Sequence, residues 1–269
     1  MKRLAALGLV LLFCLAMFPL GPGVAQGEVR LSSLWVRLWP EYDQPGLLVI
    51  YVGELAEATT YPAIISLRMP ARVAAPHVVA VQPSPEAPID ETTFEVAEEG
   101  PWQIVTFQAN GPRFQFEYYD TLGRDGNIRQ PSFTWPGDYA VDQLLVELQQ
   151  PPHASELSID PALSTAQVSA DDGLTYHVGQ FGPLEAGALL GVQIRYVRDE
   201  DTLTVDLLGA LPVEGTGSSG SAPVVGASPS GASGGVDALL LALVAVVSFL
   251  LGAAAMRVAV NLQAGRRRR

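Results

Sequence analysis

The chain has 269 residues, a formal net charge of −12 and one cysteine. Between residues 26 and 235 the imbalance sharpens to 27 Asp and Glu against nine Arg and no Lys, a net of −18. That stretch lacks the basic patch a phosphate backbone requires, which excludes nucleic acid as a partner, and a lone Cys14 excludes a disulfide framework and a thiolate metal site.

Taken in chain order, residues 1–25 read as a signal peptide. Lys2 and Arg3 precede an apolar run from Leu4 to Leu20, and Gly23, Val24 and Ala25 offer small residues for cleavage. Cys14 follows Phe13 inside the apolar run, so a lipid attachment signal is not expected.

From residue 28 to 211 the dominant period is two. Phe114, Phe116 and Tyr118 alternate with Arg113, Gln115 and Glu117. Leu144, Val146 and Leu148 form another such series, as do Val192, Ile194 and Tyr196, and Leu203, Val205 and Leu207. Alternation of this kind marks half-buried strands. Further strands are expected at 30–39, 47–52, 63–69, 78–81, 93–96, 102–107, 129–135 and 174–180. Turn sequences rich in Gly, Asn, Asp and Pro separate them, at 43–46, 110–112, 124–127, 171–173 and 199–201. Hairpins are expected at 118–135 and 197–205. No stretch before Ala238 sustains a 3.6-residue period, so the fold class is all-β, an antiparallel β-sandwich.

Two stretches, 52–70 and 181–199, share a shape: apolar residue, Gly, any residue, Leu, a polar loop and an alternating strand. Leu55 and Tyr61 are six apart, as are Leu184 and Leu190, and Gly187 sits in the second loop. The second stretch resembles the corner at which bacterial Ig-like and fibronectin type III-like domains cross from one sheet to the other. The resemblance is one of fold and implies no activity. It implies a Leu plugging the core end and, at Tyr61, a hydroxyl bonded to backbone. The expected organisation is two sandwich-like halves, 26–110 and 111–211, with a boundary near Asn110. A single larger jelly-roll-like sandwich is the alternative.

Residues 212–235 are dominated by Gly, Ser, Ala and Pro and read as a flexible tether with a mean reach of roughly 25–30 Å. Residues 236–257 read as a transmembrane helix. The run that starts at Ala238 and ends at Met256 is 19 residues without a charge, and at about 1.5 Å per residue a helix of that length matches a bilayer core of about 30 Å. The tail, 258–269, closes on four arginines, Arg266 to Arg269. Basic residues stay inside, so a single pass with the N-terminal domain outside the cell membrane is expected. Leu211 to Gly215 also resembles a sortase motif with Glu214 in place of Thr, so a processed sorting tail is the alternative to a permanent anchor.

No catalytic signature is legible. His77, His153 and His177 are far apart, and no His pair has zinc-ligand spacing. Asp120, Asp125 and Asn127, and the acidic turn at 199–201, lack the spaced pattern of a calcium loop. No metal, cofactor or catalytic role is therefore assigned. The aromatic residues give the stronger lead. Trp35, Arg37 and Trp39 fall on one face of the first strand, opposite Leu34, Val36 and Leu38, and Tyr119, Trp135 and Tyr139 lie near a hairpin end. These six are the candidate ligand-binding surface, with core packing as the competing use of the rings. The expectation is a non-enzymatic binding or scaffolding ectodomain at the cell envelope, with a protein or glycan partner. A carbohydrate-binding module serving an envelope glycan enzyme is the alternative.

Overall fold

A computed structural model of the chain describes residues 29–208. The first strands are β1 (Arg30–Pro40), β2 (Leu47–Leu55), β3 (Ala63–Pro70), β4 (Val78–Gln82) and β5 (Asp90–Glu91). A hairpin follows, β6 (Phe94–Glu99) and β7 (Trp102–Ala109), then β8 (Arg113–Asp120) and the short β9 (Arg124–Asp125) and β10 (Ile128–Arg129). The last six strands are β11 (Ser132–Trp135), β12 (Ala140–Gln150), β13 (Ser155–Asp160), β14 (Thr165–Val168), β15 (Thr175–Phe181) and β16 (Leu190–Val197), before a five-residue helix, α1 (Thr204–Leu208).

These strands make three sheets. Eight run in the order β14-β15-β12-β1-β2-β8-β4-β5. Four run β11-β16-β10-β9, with β13 also on β16, and three run β3-β7-β6. The central strand β1 pairs parallel with β12 and antiparallel with β2. One face of it supplies Leu34, Val36 and Leu38, all fully buried.

One core cluster joins that face to both smaller sheets. It takes Ile65, Leu67 and Met69 from β3, Val105 and Phe107 from β7, and Phe133, Trp135, Val192, Ile194 and Tyr196 from β11 and β16. Tyr51 stands at its centre, with the rings of Phe116, Tyr118, Phe133 and Trp135 at 5.6, 6.2, 6.0 and 5.8 Å. Truncating a ring so enclosed costs about 3–5 kcal/mol.

The all-β expectation stands, but the sheets are not wholly antiparallel, since β1 pairs with β12 in parallel, and the two halves do not stand either. Strands from both sides of Asn110 lie side by side in the eight-stranded sheet, β12 beside β1 and β8 between β2 and β4, and share one core. The Asn110-Gly111-Pro112 punctuation is a tight turn between β7 and β8. A Cβ on Gly111 would lie 2.3 Å from the carbonyl oxygen of Pro83, so glycine is there to let two backbones meet.

The 197–205 hairpin is also corrected. Both edges of β16 are occupied, by β11 and β10 on one side and β13 on the other, so a returning strand has no edge to join. Residues 204–208 instead form α1, and the amides of Thr204 and Val205 donate to the carbonyls of Glu41 and Tyr42 at 2.9 and 3.0 Å. The expected hairpin at 118–135 shrinks to β9–β10, because β8 and β11 lie in different sheets.

Both look-alike stretches do cross between layers, from β2 to β3 and from β15 to β16. Leu55 is buried and Leu184 packs against the core, exchanging two backbone hydrogen bonds with Val141. Gly187 turns its loop at φ 84°. Tyr61, where the resemblance implies a hydroxyl bonded to backbone, lies at the surface, 37% exposed.

Among the described residues no helix is long and apolar enough to cross a membrane. The signal peptide, tether, transmembrane run and basic tail lie outside the described residues.

Candidate binding surface

With Leu34, Val36 and Leu38 committed to the core, the period of two turns Trp35, Arg37 and Trp39 to the other face of the large sheet. Cross-strand register builds rows on that face. Glu147, Arg37, Ile50 and Glu117 form one, and Leu145, Trp35, Val52 and Gln115 the next. Leu48 stands between Trp39 and Tyr119 in a third.

Arg37 is the centre of this surface. Its guanidinium carbon lies 3.9 Å from the centroid of the Trp35 ring, a cation–π contact. Its Nε is 3.7 Å from Glu147 Oε1, and Trp39 Nε1 donates to the same oxygen at 3.4 Å. Arg37 is 4% and Glu147 7% exposed. Burial therefore dominates both ionisations, lowering the Arg37 pKa and raising that of Glu147, with each partner partly offsetting the other's shift.

The pair is incompletely bonded. Arg37 Nε and Nη2, Trp35 Nε1 and Gln149 Oε1 are all buried without a hydrogen-bond partner. A buried donor left unmet costs about 1–3 kcal/mol. Three such donors, and the acceptor oxygen of Gln149, lie on the same face of β1 and β12.

Toward the end of β8 the face becomes wetter. The Tyr119 hydroxyl donates to Asp43 at 2.9 Å, and the His77 ring meets Tyr119 edge-on at 5.0 Å. Burial and the Asp43 carboxylate push the Tyr119 phenol well above its ordinary pKa. Beside it opens a cleft of about 240 Å³, where Arg72 closes on Asp120 through Nε–Oδ1 and Nη2–Oδ2 contacts of 2.7 and 2.5 Å. Glu117, in the row of Arg37, has its pKa raised mainly by burial.

The six expected residues therefore divide. Trp35, Arg37, Trp39 and Tyr119 share the outer face. Trp135 is fully buried against Tyr51 in the core, and is removed from the surface because β11 turns it inward. Tyr139 is removed too: its hydroxyl accepts the Ser66 amide at 2.7 Å. Beside it Asp138 accepts from Arg68 Nε at 2.5 Å, so the 136–139 segment clips β11 to β3.

The sequence reading missed Glu147. Its signal was a carboxylate inside the apolar run from Leu144 to Leu148. Its partner could not be read, because β1 and β12 pair in parallel across more than a hundred residues.

A second buried charge cluster was missed altogether. Glu41, at φ 49°, accepts from Arg129 Nε at 3.1 Å, from the Tyr196 hydroxyl at 2.9 Å and from Arg198 Nη1 at 3.2 Å. Arg129 also donates to Asp201 at 2.8 Å and to the Gly126 carbonyl at 3.0 Å. Both guanidinium groups are fully buried. The histidines stay apart: His153 contacts Glu200, His177 meets Gln150 at 2.9 Å, and His77 lies beside Tyr119.

No known protein family matches the chain, and no curated protein matches it. Among solved structures it is similar to one described as a "putative protease" from Parabacteroides distasonis, at 11% identity and a TM-score of 0.36, over 65% of this chain. The likeness spans 41% of that protein's length, and at that score it carries no argument about fold or activity.

Proposed function

We propose that the chain is a non-enzymatic binding or scaffolding protein of the cell envelope, held by one C-terminal span with its β-rich domain outside. The observation that carries this reading is the outer face of the large sheet, where Arg37 and Trp35 hold buried donors that no group among the described residues satisfies. Those donors are enclosed in the free chain, so a protein partner would have to displace the side chains over them before its carbonyl or carboxylate groups could complete them. The uncharged run ending at Met256 and the arginines beyond it support the anchor. The fold we assign is an Ig-related β-sandwich, supported by the layer crossings after Leu55 and after Phe181.

A protein partner is favoured over a glycan. Sugar stacking needs an open ring face, yet the Arg37 guanidinium covers Trp35 and Trp39 is 5% exposed.

Two measurements test the proposal. In cells, external protease should cleave the domain while an epitope at the C-terminus stays protected and sediments with membranes. A protein released in soluble form, or a tail cut from outside, overturns the anchor. A photo-crosslinker at Val52, beside Trp35 in the same row, should capture a discrete envelope protein that is lost in Arg37→Ala. Capture unchanged by that variant, or glycan-array binding that disappears in Trp35→Ala with no protein captured, overturns the protein-binding reading.

A further inference from the structure

A second surface lies away from Arg37, at the edge of the three-stranded sheet. In β6, Phe94 and Val96 pair with Phe107 and Val105 of β7. Those partners are core residues, 3% and 0% exposed, whereas Phe94 and Val96 are 41% and 45% exposed. The large sheet ends in β5, two residues long, while β6 runs for six. Among the described residues, Phe94 and Val96 on the inner side of β6 are left half uncovered, with Glu98 beyond them on the same side. Because β6 is the last strand in its sheet, its outer backbone edge is also open.

Along the chain the charge at this edge has one sign, and the nearest arginine across the sheet, Arg68 of β3, is two strands away and paired with Asp138. From residue 73 to 112 there are six acidic residues, Glu86, Asp90, Glu91, Glu95, Glu98 and Glu99, and no Lys or Arg. Acidic side chains on an edge strand discourage pairing with another copy of the same strand. A second copy would set Glu95, Glu98 and Glu99 against themselves. An extended basic segment would face no such cost.

We infer that the free edge of β6 is a docking edge for an extended basic segment of a partner protein. That segment would add a fourth strand to the β3-β7-β6 sheet. Alternate apolar residues of the incoming strand would cover Phe94 and Val96, and its Lys or Arg would meet the carboxylates on the other side. Backbone bonds along an added strand give affinity, and alternating side chains give selectivity. Repression of self-pairing explains the acids, but it leaves the two apolar side chains uncovered.

The full-length chain in detergent micelles can be titrated with fluorescent ten-residue peptides. The probe alternates valine with lysine; its controls replace lysine with glutamate, or carry N-methyl groups on alternate residues. Binding of the lysine peptide is expected, together with slowed amide exchange at 94–99. At least tenfold weakening is expected with either control peptide and in Glu95→Lys/Glu99→Lys, and further weakening above 0.5 M salt, where exposed charges are screened. Arg37→Ala should bind the peptide as wild type does, which separates this edge from the surface in the proposed function. No binding, equal binding of the N-methylated peptide, or equal binding by the charge-reversed protein overturns the inference. So does concentration-dependent dimerisation that protects 94–99 without peptide, because the edge would then serve a second copy.

Discussion

Two buried arginine clusters in this domain are built on opposite plans. At the end of β1, Arg129 and Arg198 enclose Glu41, and their donors reach its carboxylate, Asp201 and the carbonyls of Gly126 and Thr202. In the middle of β1, Arg37 is buried to a similar degree, yet its one acid, Glu147, stands at 3.7 Å and two of its donors are unbonded. Buried charge is tolerated when hydrogen bonds replace the water that is lost. The first cluster meets that condition except at Arg198 Nε, which is buried without a partner among the described residues. The second does not, and the difference separates a clasp that holds the fold from a surface with bonding capacity to spare.

The largest effect is expected where the clasp is broken. Glu41→Ala leaves two fully buried guanidinium groups facing each other without their shared carboxylate. Removing one partner of a buried charge cluster costs about 3–5 kcal/mol. The variant also relieves little backbone strain, since alanine is no better suited than glutamate to the positive φ at that position. Urea denaturation should show this loss, and the amides of α1 should exchange faster, because Thr204 and Val205 donate to the carbonyls of Glu41 and Tyr42. A loss below 1 kcal/mol would break the comparison by showing that the clasp is as dispensable as the outer pair.

The two clusters also differ in how far the sequence announced them. The alternation at 30–39 placed Trp35, Arg37 and Trp39 on one face, and that placement follows from the two-residue period alone. Which face would be inner was open, because β1 is a central strand and both faces read as apolar or aromatic. Trp135 and Tyr139 were misplaced for a related reason: rings suit a core and a surface equally well, and the β11–β16 pairing that turns Trp135 inward joins residues some sixty positions apart. The clasp gave no local sign. Glu41, Arg129 and Arg198 sit in turns or at strand ends and meet only through the tertiary fold. Short polar strands escaped as well. In β13, only Leu157 and Ile159 point toward the core, too few for a period to stand out. The residues 203–207 show the reverse error, where an alternating pattern was overruled because β16 had no free edge.

A smaller effect, of opposite sign, is expected on the outer face. Replacing an incompletely bonded buried ion pair by apolar residues of similar volume is often neutral, or stabilising by about 1–4 kcal/mol. Arg37→Met combined with Glu147→Leu should therefore keep or raise the midpoint of urea unfolding, while abolishing the crosslink proposed at this face. Loss of more than about 2 kcal/mol would place the pair with the clasp as a structural element.

The smallest and most discriminating effect is in pH dependence. Glu117, Glu147 and Asp138 all have pKa values raised in the folded protein, each chiefly by burial. A carboxyl group with a raised native pKa binds its proton more tightly when folded. Its contribution to stability is thus complete below its ordinary value, 4.5 for the two glutamates, and is lost as the pH climbs through the raised native value. His177 acts in the opposite sense. Burial lowers its pKa from 6.5, so its contribution is present above that value and fades as the pH falls through the depressed native one. Unfolding free energy in the wild type should therefore fall as the pH climbs from 4.5 through the raised carboxyl values, with His177 offsetting part of that fall below pH 6.5. The decline should be shallower in Glu117→Gln and in the Arg37→Met/Glu147→Leu variant, each lacking one of the raised carboxyls, and unchanged in slope in His177→Gln at pH 7 to 8, where that imidazole is neutral in both states. Parallel curves for the wild type and the two carboxyl variants would mean that the outer face is better solvated than its buried donors indicate, and the contrast with the clasp would lose its electrostatic basis.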